Sequence, residues 1–140
     1  MSCVLGLDIG TTSTIGILVR LPDEVLGITS RPVTLTSRQP GWAEEDPEQW
    51  WSNCCAIIQE LIGAAGISTT EIVGVGVTGM LPAVVLLDEN GAVLRPSIQQ
   101  SDGRVAAEVA ELRSEIEEVE FIAKAGNGIN QQLVATKLRW

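Results

Sequence analysis

Val4-Leu5-Gly6-Leu7-Asp8-Ile9-Gly10-Thr11-Thr12-Ser13-Thr14-Ile15-Gly16-Ile17-Leu18-Val19 is the stretch from which the fold is read. Two apolar runs flank a turn that carries a carboxylate, a glycine and a row of hydroxyls, so the segment predicts a tight β-hairpin. Gly10 lets backbone approach a ligand with no Cβ in the way, and the amides from Gly10 to Ser13 can converge as anion donors. Thr11, Thr12 and Ser13 add hydroxyl donors. Asp8, where the first strand runs out, would repel a phosphate unless a divalent cation stood between them. Magnesium takes one or two carboxylates alongside phosphate oxygens and water, and suits that place. Hairpin turns also use Gly, Asp and Thr for conformational reasons alone, so the turn by itself leaves both readings open.

Composition narrows the function classes. At 140 residues and 45% hydrophobic, the chain can bury a core, and its size predicts one domain at most. A net charge of -9 opposes nucleic acid and anionic membranes as partners. Cys3, Cys54 and Cys55 form no C-x-x-C pair and no disulfide framework, which points to a reducing cytosol. No leader pattern opens the chain, and no apolar run nears the roughly 18 residues of a membrane span. The sequence contains no histidine, which excludes Ser-His-Asp, Cys-His and His-based zinc chemistry within it.

Outward from the hairpin, alternation over Val25 to Ser37 predicts a third antiparallel strand. Asp46-Pro47-Glu48-Gln49 predicts a helix start with an Asp/Gln capping box, and Trp50, Cys54, Ile57 or Ile58, and Leu61 give that helix one apolar face. Gly63 and Gly66 mark its exit. Ile72 to Val77 has the make-up of a strand buried on both faces, with Gly74 and Gly76 packed against a helix. It leads into the Gly79-Met80-Leu81-Pro82 loop, at the kind of strand end where open α/β sheets keep ligands. Asp88-Glu89-Asn90-Gly91 predicts an Asn-Gly hairpin between Ala83–Leu87 and Ala92–Arg95. Val105 to Ile122 predicts one helix with Val109, Leu112, Ile116 and Val119 on a stripe and its glutamates on a solvated face. Gly126-Asn127-Gly128 ends it, and Leu133 to Trp140 begins another helix inside which the sequence stops.

Asp8-Ile9-Gly10-Thr11-Thr12-Ser13, Gly41-Trp42-Ala43-Glu44-Glu45-Asp46-Pro47-Glu48-Gln49-Trp50-Trp51, Gly79-Met80, Leu94-Arg95-Pro96 and Asp102-Gly103-Arg104 stand in an order that resembles the FGGY carbohydrate kinases, most closely the xylulokinase group. The resemblance implies an α/β chain of the actin-like ATPase (ribonuclease H-like) fold, a mixed sheet with helices. Residues 1–140 would be the amino-terminal portion of FGGY domain I, with the second half of that domain and domain II outside them. It implies phosphoryl transfer from ATP to a sugar hydroxyl. Asp8 would lie near magnesium, through water, and Gly10, Thr11, Thr12 and Ser13 would form the first phosphate loop. Met80 and Leu81 match the pair that meets the sugar, Asp102 and Arg104 would lie on the substrate side, and Trp42 and Glu44 nearby.

Three departures from the family's pattern stand out. Gly79-Met80-Leu81 replaces the usual Gln-Met-His, Gln100-Ser101 replaces Trp-Asn, and Ile15 replaces an arginine found in glycerol kinases. The first two alter groups that would read sugar hydroxyls, leaving pentuloses, hexuloses, polyols and sugar acids open as substrates. The family's catalytic base and adenosine site lie beyond these residues, so the chain alone is expected to have no turnover. It is also expected to self-associate through the faces a fuller domain would cover. The alternative from another class is a small non-catalytic nucleotide- or sugar-binding module.

Overall fold

The structure, a computed structural model, describes residues 2–140. In chain order its elements are β1 (Cys3–Ile9), β2 (Ser13–Arg20), β3 (Glu24–Pro32), β4 (Glu44–Glu45), α1 (Pro47–Ala65), a 3-10 turn (Thr69–Glu71), β5 (Ile72–Gly79), β6 (Ser97–Ile98), α2 (Ala106–Glu115), α3 (Glu118–Ala125) and α4 (Val134–Arg139). Where composition suggests one domain, contacts divide the chain into two compact units, Met1–Leu35 with Asp46–Met80 and Thr36–Glu45 with Leu81–Trp140. Each has its own apolar cluster.

The first unit is a four-stranded mixed sheet in the order β3-β2-β1-β5. The hairpin expected from the opening residues pairs β1 with β2 antiparallel, Ile9 facing Thr14, while β5 runs parallel to β1. The third strand stops at Pro32 instead of reaching Ser37, because its partner β2 begins at Ser13, opposite Pro32, and offers no strand beyond it. Asp46 caps α1 by accepting the Glu48 amide at 3.0 Å, and Gly66 closes it at φ +63°. The expected capping box does not form: the Gln49 side chain accepts the Thr34 amide at 2.8 Å instead. Cys54, Ile57 and Leu61 of α1 bury against Cys3, Leu5, Leu7 and Leu18 of the sheet. The helix lies so close to β2 that a Cβ on Gly16 would stand 2.2 Å from the Ile57 Cγ2.

The expectation of two-sided burial for β5 is overturned. It is the sheet's edge, α1 packs over β2 and β3, and Val73, Val75 and Val77 remain 62%, 58% and 66% exposed. Nor do Gly74 and Gly76 pack against a helix: a Cβ on Gly74 would meet only the Val4 Cγ1 at 3.7 Å, and one on Gly76 nothing within 4 Å. The β-branched run specifies strand conformation, not coverage.

In the second unit β4 pairs antiparallel with β6. The expected hairpin around Asn90-Gly91 forms, Leu87 bridging Val93 antiparallel and the Asp88 amide donating to the Ala92 carbonyl at 2.9 Å, but its turn is longer than the two-residue type that needs positive φ at both central residues. Gly91 has φ +82°, but no non-glycine among the described residues is positive, and the Asp88 carboxylate closes the turn by accepting the Asn90 and Ala92 amides at 2.8 Å each. The long helix expected over 105–122 is two helices, broken where Ile116 turns extended (φ -123°, ψ 130°). The break lets Leu112, Ile116 and Phe121 all pack on Val105, Val109 and Ile129, and strands Val119 at 80% exposure. Glu111 and Glu115 pair with Arg139 at 3.2 and 2.7 Å. The three cysteines are free, and no helix among the described residues is long and apolar enough to cross a membrane.

Candidate functional site

In the first unit β1 delivers Asp8 beside Ile15 of β2 and Thr78 of β5, with its side chain exposed. The turn after it is tight because the Gly10 amide donates to the Ser13 carbonyl at 3.0 Å, and a Cβ on Gly10 would sit 3.0 Å from that same oxygen. The Gly10 amide, expected to face an anion, is thus spent inside the turn. The Thr12 carbonyl accepts the Val33 amide at 2.9 Å, which anchors the turn to the chain after β3. Among the described residues no protein group accepts a hydrogen bond from the Thr11 or Thr12 amides or from the hydroxyls of Thr11, Thr12 and Ser13. Those five donors are what the turn can offer an anion.

The neighbouring strand ends on the same side. The Met80 amide donates to the Ile9 carbonyl at 2.9 Å, and a Cβ on Gly79 would come within 3.1 Å of it, so the two chains run against each other there. On one sheet face Gly6, Asp8, Ile15, Ile17, Gly76 and Thr78 line an open, largely apolar depression of about 400 Å³. No cluster of three acidic, cysteine or histidine ligands exists among the described residues. A cation at Asp8 would therefore have one carboxylate and complete its shell from phosphate oxygens and water, which is magnesium's habit.

Asp102 and Arg104, expected on the substrate side, are drawn together in the second unit in a buried polar cluster. Their side chains are 0% and 1% exposed. The Asp102 Oδ2 accepts the Ala43 amide and the Arg104 Nη2, both at 2.6 Å, and its Oδ1 accepts the Arg104 amide at 3.0 Å and Nε at 2.8 Å. Arg104 Nη1 reaches Glu44 at 2.8 Å, and Arg95 donates to the same Glu44 oxygen at 2.7 Å. The Arg104 guanidinium lies 3.7 Å from the Trp42 ring and 4.8 Å from that of Trp140, which meet edge to face with centroids 5.5 Å apart. Burial pushes the Asp102 carboxyl up, but the Arg104 guanidinium and the Ala43 and Arg104 amides outweigh it and hold the group below its ordinary range. Arg104 is likewise held above its ordinary value, its two carboxylates overcoming the cost of burial.

Met80 belongs to the first unit and is half-buried, while Leu81 opens the second with its side chain 77% exposed. Trp140, Gln99 and Lys137, which no motif flags, join the second cluster. Lys137 is one of two lysines in the chain and sits four residues after Leu133, on the inward side of a short helix. That a lysine occupies an apolar position of the helical repeat is the signal a reader could use.

Comparison with known proteins identifies the family and the fold. The model of the FGGY family of carbohydrate kinases, N-terminal domain, matches residues 3–140. A glycerol kinase of Desulfitobacterium hafniense is 33% identical over 98% of this chain and 28% of its own length. A xylulose kinase of Klebsiella pneumoniae is also 33% identical, over 97% of the chain and 27% of its own. The crystal structure of xylulose kinase from Rhodospirillum rubrum superposes with a TM-score of 0.93 at 63% identity, over 99% of this chain and 28% of that one. The chain thus spans little more than a quarter of these relatives, and its fold is the actin-like ATPase fold of the sugar kinases. It belongs to the FGGY family of carbohydrate kinases.

Proposed function

We propose that residues 1–140 are the amino-terminal portion of domain I of a longer cytosolic kinase that transfers the γ-phosphoryl group of ATP to a hydroxyl of a pentulose or related sugar. The observation that carries the reading is the Asp8 turn, a carboxylate beside five donors that no protein group uses among the described residues. The likeness to the Rhodospirillum rubrum xylulose kinase supports the sugar class. In this reading the Thr11 and Thr12 amides and the hydroxyls of Thr11, Thr12 and Ser13 bind phosphate oxygens. Asp8 holds magnesium through water; when bound, the ion offsets charge on the phosphates. Met80 and Leu81 touch the sugar. Asp102 and Arg104 are too buried to reach a ligand in bulk, and act by fixing the segment around them. The catalytic base lies outside these residues, so the isolated chain turns over nothing and self-associates through its uncovered sheet.

The test uses the whole kinase that carries these residues. Pentuloses, hexuloses, polyols and sugar acids are assayed for sugar-dependent ADP release beside Asp8→Ala. Turnover on one sugar, lost in the variant, is expected. Nucleotide binding without turnover on any sugar would replace the kinase by a binding module.

A further inference from the structure

Asp8 has one neighbour on each adjoining strand, Ile15 of β2 and Thr78 of β5. Ile15 offers no polar atom, so the flank of the carboxylate that can interact with anything bound to it is the β5 side. The residues around the depression on that sheet face bear this out: only Asp8 and Thr78 have polar side chains, and the rest are glycine or aliphatic. Along the same face β5 presents Gly74, Gly76 and then Thr78, so its hydroxyl comes level with the carboxylate. Thr78 is exposed, and among the described residues neither its hydroxyl nor the Asp8 carboxylate has a protein hydrogen-bonding partner.

The end of β5 is held firmly against β1. The Met80 amide donates to the Ile9 carbonyl at 2.9 Å, and a Cβ on Gly79 would come within 3.1 Å of that oxygen. Thr78 is thereby fixed beside Asp8. Strand formation does not require its hydroxyl, since valine suits an exposed strand position as well and fills positions 73, 75 and 77 of the same strand.

Magnesium keeps several of its waters, and those waters donate hydrogen bonds that need acceptors. With a single carboxylate at the site and no three-ligand cluster among the described residues, the groups outside the first coordination shell decide how the ion is held. A threonine oxygen can accept from such a water and still donate its own proton.

We propose that Thr78 is a positioning residue of the cation site: its hydroxyl accepts a hydrogen bond from a water on the magnesium at Asp8 and so fixes the ion. This rests on the kinase reading above.

Thr78→Val, Thr78→Ser, Asp8→Ala and the Asp8→Ala/Thr78→Val double variant are compared with wild type in the whole kinase. ATP is titrated calorimetrically, once with magnesium and once with EDTA in its place, and amide exchange follows β1 and β5. In Thr78→Val the Kd with magnesium is expected to rise about tenfold, the lower end of the loss when a metal site loses an outer partner, while the Kd in EDTA stays within about twofold. Protection of β1 and β5 is unchanged, and Thr78→Ser restores the affinity. On top of Asp8→Ala, Thr78→Val adds nothing, as two groups acting through one ion require. An unchanged Kd with magnesium in Thr78→Val overturns the proposal. Equal weakening with and without magnesium does so too, because the hydroxyl then serves the nucleotide directly, and so does a general loss of protection, which makes Thr78 a stability residue. Wild type that binds ATP equally well with and without magnesium marks the separate failure of the Asp8 reading, and the proposal falls with it.

Discussion

Arg104→Met removes the centre of the buried cluster, and its cost can be worked from the contacts. The lost groups are two bonds to Asp102 at 2.8 and 2.6 Å, one pair with Glu44 at 2.8 Å and the stack on Trp42 at 3.7 Å. Removing one partner of a buried ion pair costs about 3–5 kcal/mol. Asp102 keeps the Ala43 and residue-104 amides and Glu44 keeps Arg95, which places the electrostatic loss near the lower end of that range. The stack adds about 0.5–1 kcal/mol, in part returned by burying the methionine. The sum is about 3–4 kcal/mol, or roughly 1.5–2 M in the urea midpoint for a slope of about 2 kcal/mol per M. The loss also depends on pH. In wild type the Asp102 carboxyl is held below the ordinary value of 3.8, so its contribution is complete above that value and fades only as pH falls through the folded-state value. In the variant burial is left without the guanidinium and pushes the carboxyl up, so acid relieves the variant before it harms wild type. Urea unfolding read by amide protection in the second unit, at pH 7 and pH 4.5, should show the gap narrowing in acid. A gap below about 1 kcal/mol at pH 7, or one that is constant or wider at pH 4.5, refutes the assignment of a charge-based core.

Gly16→Ala forces a Cβ to 2.2 Å from the Ile57 Cγ2, a β-branched methyl with no exposed surface to retreat into. Overpacking costs about 1–3 kcal/mol against a gain of about 0.4–1 from a stiffer unfolded chain, so a net loss of about 1–2 is expected. Adding Ile57→Ala should recover part of it in a double-mutant cycle, and strict additivity would count against the clash. The 140-residue chain should also associate in sedimentation velocity at high concentration through the edge bearing Val73, Val75 and Val77, and Val75→Lys should disperse it. A clean wild-type monomer would remove that edge as an adhesive surface.

What the sequence makes legible is what neighbours in sequence decide. The hairpin, the Asp46 cap, the Gly66 and Gly126 ends and the apolar face of α1 all follow from residues within a turn or two of one another. Gln49 shows the limit: its offset from Asp46 fits a capping box, but Thr34, 15 residues away, offers an unpaired amide and takes the side chain. Strand β5 shows another. A run of valines declares its conformation, whereas its coverage depends on how far α1 reaches. The break at Ile116 carries neither Gly nor Pro, because the core that Phe121 joins bends the chain there. Least legible is the burial of the 97–104 segment, whose Asp102 and Arg104 the sequence marks only through the family's motif. Its burial becomes possible only when Ala43 supplies an amide 59 residues before Asp102, and Glu44 meets Arg95 across 51 residues. Within the turn after Asp8 the glycine is legible, though its amide is spent on the Ser13 carbonyl inside the turn.

The division of the chain also dictates an order of events at the ribosome. Every strand of the four-stranded sheet, and the helix that covers it, has been synthesised once Met80 has emerged. Residues 36–45 emerge earlier than α1, yet must wait: the acceptor of the Ala43 amide arrives 59 residues later, and the arginine that neutralises Glu44 after 51. Contacts of such long separation form slowly, since a large loop must close before they contribute. The sheet can therefore complete itself while Glu44 holds only its local bridge to Thr36, and the Ala43 amide and the Glu44 carboxylate still lack their later partners. The polar cluster around Asp102 is then the last part of the chain to set, docking onto residues made long before it.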